Sequence, residues 1–567
     1  MFRFESGRIS AMFSRKKLTA AKTRHLADQL KTCCGIFLDP TIRSPNIQED
    51  RAQKILRTLV KRSRRDIIQH IPERDAILEC SLVLVQNYVA HLRLRPRALW
   101  HCGRRQPTFA EAKELFQAMI NQLIPEQQDE VIDIILRFLQ YENLWKVEFI
   151  CVEILLFVLE GRSPSALLLS KLIDQVEQFL ARADVDQVRH VLSVLQSIIV
   201  PRHWDMIDYS DLAKLLRFYH SSVVIGTSRN QIYELRRGFE KCLKNLTSLL
   251  SVTDLGSFVI MILPLHLDTD MSDEARIEFS SIVEYAASKM SLCDPRYTTN
   301  GSFVIDYLLS HVVGPDATKS IQAAKVLTKL LESGHNPTQF QSPQIFHIET
   351  HYDIVLGTGC ERLRQLLIDA RPQWEHALLV AIQRHSLRKI NLEVFYQLLC
   401  VLLVEAPDGF TASAVCCLLL KVQKAFLNPP DGAGADAGDS YRQPQEQIEH
   451  GRRVHGTVMA VMTLINWIHR TGSMNAYINR ILHARYDDAP FLNPPLRERY
   501  QCAPHHVCWY EPALFFDTLE IRYGLWKCFR IAEEKIPKPP ARMLAGGGAT
   551  GSRRGRLPCT LKKFAGT

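Results

Sequence analysis

From about residue 108 onward, apolar positions recur at intervals of three and four. This is the period of a helix that buries one face, and short breaks of Pro, Gly, Asp or Ser separate the runs. Thr108 and Glu111 form a capping box ahead of FAEAKELFQAMINQLI, which Pro125 stops. EQQDEVIDIILRFLQ then sets Val131, Ile134, Ile135, Phe138 and Leu139 on one face. Ser163 and Pro164 fit an N-cap and first-turn proline for ALLLSKLIDQVEQFLARA, and after Asp184 a partner helix runs to Pro201. Further helices are expected over residues 232–250, 274–290, 320–332, 363–370, 392–405, 410–427 and 457–470.

Three stretches break the pattern. Residues 337–356 carry two prolines and an alternating run, as expected of a long loop between repeats. Residues 428–450 are rich in Gly, Pro, Asp and Gln with scarcely an apolar side chain, the composition of a disordered insertion. The tail after Ile536 has the same character plus positive charge. FLNPP occurs at residues 426–430 and 491–495, where it marks helix exits.

Segment starts near Glu126, Ser163 and Ser210 lie about 37 and about 47 residues apart, close to the roughly 40 to 47 residues of two- and three-helix repeats. In this spacing and helical periodicity, residues 108–535 resemble an α-solenoid of the armadillo/HEAT type. The resemblance implies an all-α superhelical stack of helical hairpins whose core is continuous only because neighbours stack, leaving a long concave surface. The expected organisation is a basic, partly disordered segment over 1–46 and a solenoid over 47–427. The disordered insertion at 428–450, terminal helical repeats over 451–535 and a basic disordered tail over 536–567 follow.

Composition agrees with a folded chain: 46% of the 567 residues are hydrophobic and 23% charged. No apolar run reaches about 18 residues, so no bilayer-crossing segment is expected. The fifteen cysteines mostly stand alone in apolar helical runs, as Cys151, Cys242, Cys400 and Cys416 do, which points to buried free thiols. Charge is distributed unevenly. Residues 1–105 carry +13 and residues 535–567 carry +8, which leaves −11 for the rest of a chain whose net charge is +10. Basic ends around an acidic middle suggest attachment of the ends to something anionic.

Chemical motifs are few. Cys502, His505, His506 and Cys508 lie within seven residues, too compact for two facing chelating pairs; they are weak zinc candidates, with Cys528 or His483 as a further ligand, and the alternative is a loop entering the last helix. In that alternative Trp509, Tyr510, Phe515 and Phe516 anchor the end of the stack. His347, Glu349 and His351 would share one face of an extended strand, a geometry able to hold a divalent metal, against a plain surface loop. AGGGATGS at 545–552 lacks the strand, helix and Gly-Lys-Ser/Thr end of a phosphate cradle and reads as a linker. No nucleophile elbow, kinase signature or general acid/base pair is present in the sequence, so a non-enzyme without cofactor or structural metal is expected.

The basic N-terminal region carries the more informative signal. Arg15, Lys16 and Lys17 stand among apolar residues such as Phe13 and Leu18, a mixture suited to an anionic membrane surface. Cys33 and Cys34 follow, where acylation would add a second anchor, while the serines and scarcity of acids also suit a mitochondrial presequence. Lys61, Arg62, Arg64 and Arg65 extend the cationic set, and with Arg93, Arg95, Arg97, Arg104 and Arg105 they could form a nucleic-acid patch; aromatics for base stacking are sparse. The expected function is a cytoplasmic scaffold or adaptor, peripheral at a membrane, that binds protein partners in its groove. A nucleic-acid-associated repeat protein is the alternative, with nucleus or mitochondrion as other locations.

Overall fold

The computed structural model describes residues 17–34, 48–94, 109–123, 128–141, 143–160, 165–204, 207–224, 231–290, 292, 298–333, 336, 338–427, 443–470, 472–497 and 511–534. Helices account for about four-fifths of them, and no strand occurs among the described residues. The first seven are α1 (Ala20–Cys34), α2 (Glu49–Arg62), α3 (Arg65–His70), α4 (Arg74–Leu94), α5 (Phe109–Leu123), α6 (Gln128–Tyr141) and α7 (Glu148–Glu160). Next come α8 (Ser165–Ala181), α9 (Val185–Ile198), α10 (Tyr209–Val224), α11 (Gln231–Glu234), α12 (Arg236–Thr247), α13 (Val252–Leu267), α14 (Asp273–Lys289), α15 (Thr298–Val313) and α16 (Ala317–Leu331). The remainder are α17 (Glu361–Asp369), α18 (Arg371–His385), α19 (Lys389–Glu405), α20 (Gly409–Leu427), α21 (Gln443–His469), α22 (Gly472–Asp488) and α23 (Thr518–Glu534).

Short polar caps set many of the helix starts. Asp184 accepts from the Gln187 N–H at the head of α9, Ser251 from Asp254 at α13, Ser272 from Ala275 at α14, and Asp316 from Thr318 and Lys319 at α16. The helices stack in two layers. One layer runs α7, α9, α12, α14, α16, α19, α21, each packed on the next; α6, α8 and α10, then α13, α15, α18, α20 and α23, form the other. One buried apolar cluster extends from Ala27 to Leu525, as a solenoid requires when no hairpin can cover its own face, and a small second one gathers Ala489, Phe491, Leu492, Leu514 and Phe515. The predicted face of α6 is fully used: Val131, Ile134, Ile135, Phe138 and Leu139 are all buried.

The repeat register, obscure in sequence, is marked by ion pairs. Lys171 on α8 reaches back to Asp133 on α6 at 3.0 Å, and Lys214 on α10 reaches back to Asp174 on α8 at 3.2 Å. The same contact thus recurs one unit along the stack.

Several expectations need correction. The stack begins inside the segment assigned to a basic extension: Thr23, Ala27 and Leu30 of α1 are buried against α2 and α4, so these apolar residues face protein. α21 begins at Gln443, ahead of residue 451, and takes in the end of the stretch read as an insertion; residues 428–442 lie outside the described set. The run 232–250 is split at Leu235 into α11 and α12. α13, α15, α18 and α22 were not singled out, because burial on two sides blurs the periodicity of a helix such as VTDLGSFVIMILPLHL. α20 is 19 residues long with mean hydropathy 1.5, long and apolar enough to cross a bilayer. In this fold it is a stack helix, with Ala412, Val415, Leu418, Leu419 and Val422 buried among α18, α21 and α23.

The stretch between α16 and α17 is non-helical, as expected, and it is fastened down. Phe340 and Phe346 are buried, and the rings of Phe340, Phe346, Tyr352 and Trp467 form a continuous chain. The Trp467 indole donates to the Thr350 carbonyl at 3.1 Å, and the Gly357 N–H donates to the Val404 carbonyl at 2.8 Å. FLNPP straddles the end of α20 at its first occurrence and forms the turn after α22 at its second.

Candidate anionic-surface site

α2 is an amphipathic helix whose geometry sorts its residues without help from tertiary context. Ala52, Ile55, Leu56 and Leu59 are buried against the stack, and the opposite face carries Arg51, Lys54, Lys61 and Arg62 into solvent. A turn at Ser63 follows, and then Arg64 and Arg65, also exposed, open α3. The Leu18 N–H donates to the Arg62 carbonyl at 3.0 Å, which brings exposed Lys17 to the same end of α2. Local helix geometry thus supplies one basic face, and one backbone hydrogen bond adds the segment leading into α1.

The charge here is available. Lys17, Lys61, Arg62 and Arg64 make no ion pair among the described residues. Arg65 is partly committed: its Nε donates to the Gln122 carbonyl at 3.3 Å. Of the carboxylates near this end, Glu73 is paired with Arg24 and Asp75 with Arg74, while exposed Asp66 follows Arg65 in the first turn of α3. Elsewhere Lys171, Lys214 and Arg236 are each held by a carboxylate on the neighbouring helix of their own layer.

Of the anticipated site residues, the structure therefore brings together Lys17, Lys61, Arg62, Arg64 and Arg65, while Arg15 and Lys16 lie outside the described residues. Arg51 and Lys54 belong to the same face and were not singled out. Their spacing from Lys61 on a helix whose other face is apolar was the signal that could have found them. Arg93 lies in α4 with its side chain outside the described set, and Arg95, Arg97, Arg104 and Arg105 lie outside the described residues altogether, so no second half of a nucleic-acid patch can be placed.

Cys33 and Cys34 close α1, and both are buried. The Cys34 thiol points at the Cys80 carbonyl, 3.8 Å away, and the Cys33 thiol lies 4.0 Å from Gln48 Oε1. Hydrogen bonding from Cys34, together with burial, pushes the Cys80 thiol well above its ordinary range. An acyl chain on either α1 sulfur could reach a bilayer only if this end of the helix left its packing against α4.

The other metal candidates resolve differently. Cys502, His505, His506 and Cys508 lie outside the described residues, with Trp509 and Tyr510. His347, Glu349 and His351 are exposed on a turn, not a strand, and no group of metal-ligating side chains occurs among the described residues. His483 is occupied with the Asn479 carbonyl at 2.6 Å. Phe515 and Phe516 do anchor the end of the stack: both are buried, and Arg485 is held between them while its guanidinium donates to the Leu514 and Leu492 carbonyls at 2.7 and 2.8 Å. Burial lowers this guanidinium to about 9, which still leaves it charged at neutral pH.

A two-layer stack of helical hairpins with a core that runs along its length and ion pairs that recur between successive helices of one layer is an armadillo-type helical-repeat protein, a fold generally used as a non-catalytic scaffold. A family model described as EFR3, armadillo repeat, matches residues 66–506, and the chain belongs to that family. No curated protein and no solved structure matches the chain.

Proposed function

We propose that this chain is an adaptor that binds partner proteins along its helical stack and rests on an anionic membrane surface through the α1–α3 end. One observation carries the membrane half. Lys17, Lys61, Arg62 and Arg64 are exposed, unmatched by carboxylates among the described residues, and gathered by the Leu18 to Arg62 hydrogen bond. Each such cation near an anionic bilayer contributes about 1 kcal/mol, so four of them hold the protein reversibly without an inserted helix. Buried Cys33 and Cys34 shift the weight onto electrostatics. The protein-binding half rests on the armadillo family and on the extended surface that stacked hairpins provide.

The test is cosedimentation of the full chain with vesicles of phosphatidylserine and phosphatidylcholine. Binding should require the anionic lipid and fall with added salt. The combined Lys61→Glu, Arg62→Glu and Arg64→Glu variant should bind roughly a hundredfold more weakly, from the loss of about 3 kcal/mol. Equal binding to neutral vesicles, or binding untouched by the variant, defeats the membrane half. Tight, salt-sensitive binding of duplex RNA or DNA by the same cations, in preference to vesicles, would establish the nucleic-acid alternative. In cells the truncation should stop at residue 16, because removing α1 would uncover the apolar faces of α2 and α4.

A further inference from the structure

Where α22 turns back through Pro490–Leu492, the chain walls a cavity of about 200 Å³ against α21. Arg452, Arg453 and Arg497 line it with Asn493, Phe491 and a single carboxylate, Glu449. Arg452 takes that carboxylate at 3.1 Å while lying over the Phe491 ring, 4.2 Å from its centre. Arg453 has no carboxylate partner among the described residues. Its Nη2 donates to the Leu387 carbonyl at 2.8 Å, and its buried Nε donates to nothing. A half-buried guanidinium with an unused donor favours an anionic ligand.

Asn493 narrows the class. It is 5% exposed, its Nδ2 donates to the Leu482 carbonyl at 3.4 Å, and its Oδ1 is buried without a donor. A bare anion such as sulfate offers acceptors only, so it could satisfy the arginines and would leave Asn493 Oδ1 unmet. A peptide offers both, with side-chain carboxylates for the guanidinium groups and backbone N–H groups for Oδ1. Pro494, Pro495 and Phe491 supply an apolar wall, and exposed Leu387 and Arg388 extend the surface beside Arg453.

We propose that this cavity binds an acidic peptide segment of a partner protein, with a carboxylate on Arg453 and a backbone N–H on Asn493. The proposal rests on the protein-binding half of the reading above. It is built on α21, α22 and the turn after them, so it shares no residue with the α1–α3 cations.

The experiment is fluorescence anisotropy of the full chain with a fluorescein-labelled oligoglutamate peptide, and an oligolysine peptide as control. Saturable binding of the oligoglutamate alone is expected. It should weaken about tenfold in Arg453→Glu, the range expected for reversing a partly buried charge, about threefold in Arg497→Glu, whose side chain is exposed, and about fivefold in Asn493→Leu. Arg388→Glu, at an exposed position, gives a smaller loss and covers the case in which Arg453→Glu melts early. The Lys61, Arg62, Arg64 variant should bind the peptide as wild type does, and Arg453→Glu should bind vesicles as wild type does. No saturable oligoglutamate binding, equal binding by folded Arg453→Glu, or indifference to Asn493→Leu with full displacement by sulfate overturns the proposal. None of those outcomes touches the vesicle result, so the two readings fail separately.

Discussion

Gln423 on α20 pairs with the backbone of Phe516 in both directions: its Nε2 donates to the Phe516 carbonyl at 2.9 Å, and the Phe516 N–H returns to its Oε1 at 3.0 Å. Both residues are buried, so this amide stands in for a secondary-structure partner that the irregular stretch before α23 lacks. Gln423→Leu keeps the volume and strands a buried donor and a buried acceptor. Urea unfolding should show a loss of about 2–4 kcal/mol at unchanged m-value. A loss under about 0.5 kcal/mol would mean that water replaces the side chain there.

Gly357 sits where a β-carbon would overlap the Glu405 carbonyl oxygen, while its own N–H holds the Val404 carbonyl. Backbone cannot yield as a flexible side chain can. Gly357→Ala should therefore lift the 338–360 strap from α19 and cost about 1–3 kcal/mol. Limited proteolysis is the direct readout, with new cleavage inside the strap expected before the stack itself unfolds. Gly472, with open space around it, should accept alanine without this effect.

Three buried histidines set an acid limit. Burial lowers His266 to about 3, with Arg276 adding to the effect; His455 is lowered to about 3 by burial and Arg485, and His450 to about 4 by burial and Arg453. Their folded values lie below the ordinary histidine value, so between about pH 6.5 and pH 3–4 the unfolded chain binds more protons and stability falls as pH falls. At pH 5 each contributes a loss of at most about 2 kcal/mol relative to neutrality. His266 has no partner for either ring nitrogen, so His266→Leu should flatten the curve with little harm at pH 7. A curve of unchanged slope in that variant would show that His266 binds its proton in the folded protein as readily as in the unfolded chain.

Thiol chemistry should be slow throughout the stack. Burial raises Cys151 and Cys242 to about 12 and pushes Cys400 and Cys416 higher still, and Cys33, Cys34 and Cys80 are also covered. Thiolate is the reacting species, so in native protein these seven should resist iodoacetamide while Cys360, Cys417 and Cys528, which are partly exposed, label first. Mass spectrometry of peptides at increasing times reads the order directly. Fast labelling of Cys33 or Cys34 alone would show that the end of α1 opens, the condition that acylation there needs.

Helices with one wet face were legible in the sequence because a 3.6-residue period survives wherever water covers one side; α6 and α9 are examples, and the basic face of α2 is visible by the same rule. The class of fold followed from that period and from the spacing of helix starts, and so did the excess of cations near the N-terminus. Tertiary structure alone decided the rest. α13 is apolar nearly all round because it is covered on several sides, which erases the period. The register of the repeats depends on contacts such as Lys171 to Asp133 between successive helices of one layer, between residues far apart in the chain. Whether Cys33 and Cys34 meet lipid or protein depends on α4 lying over them, and whether Arg453 finds a carboxylate depends on what the turn after α22 brings to it. Periodicity is a local property of the chain, whereas burial and pairing are properties of neighbours, and only the folded stack supplies the neighbours.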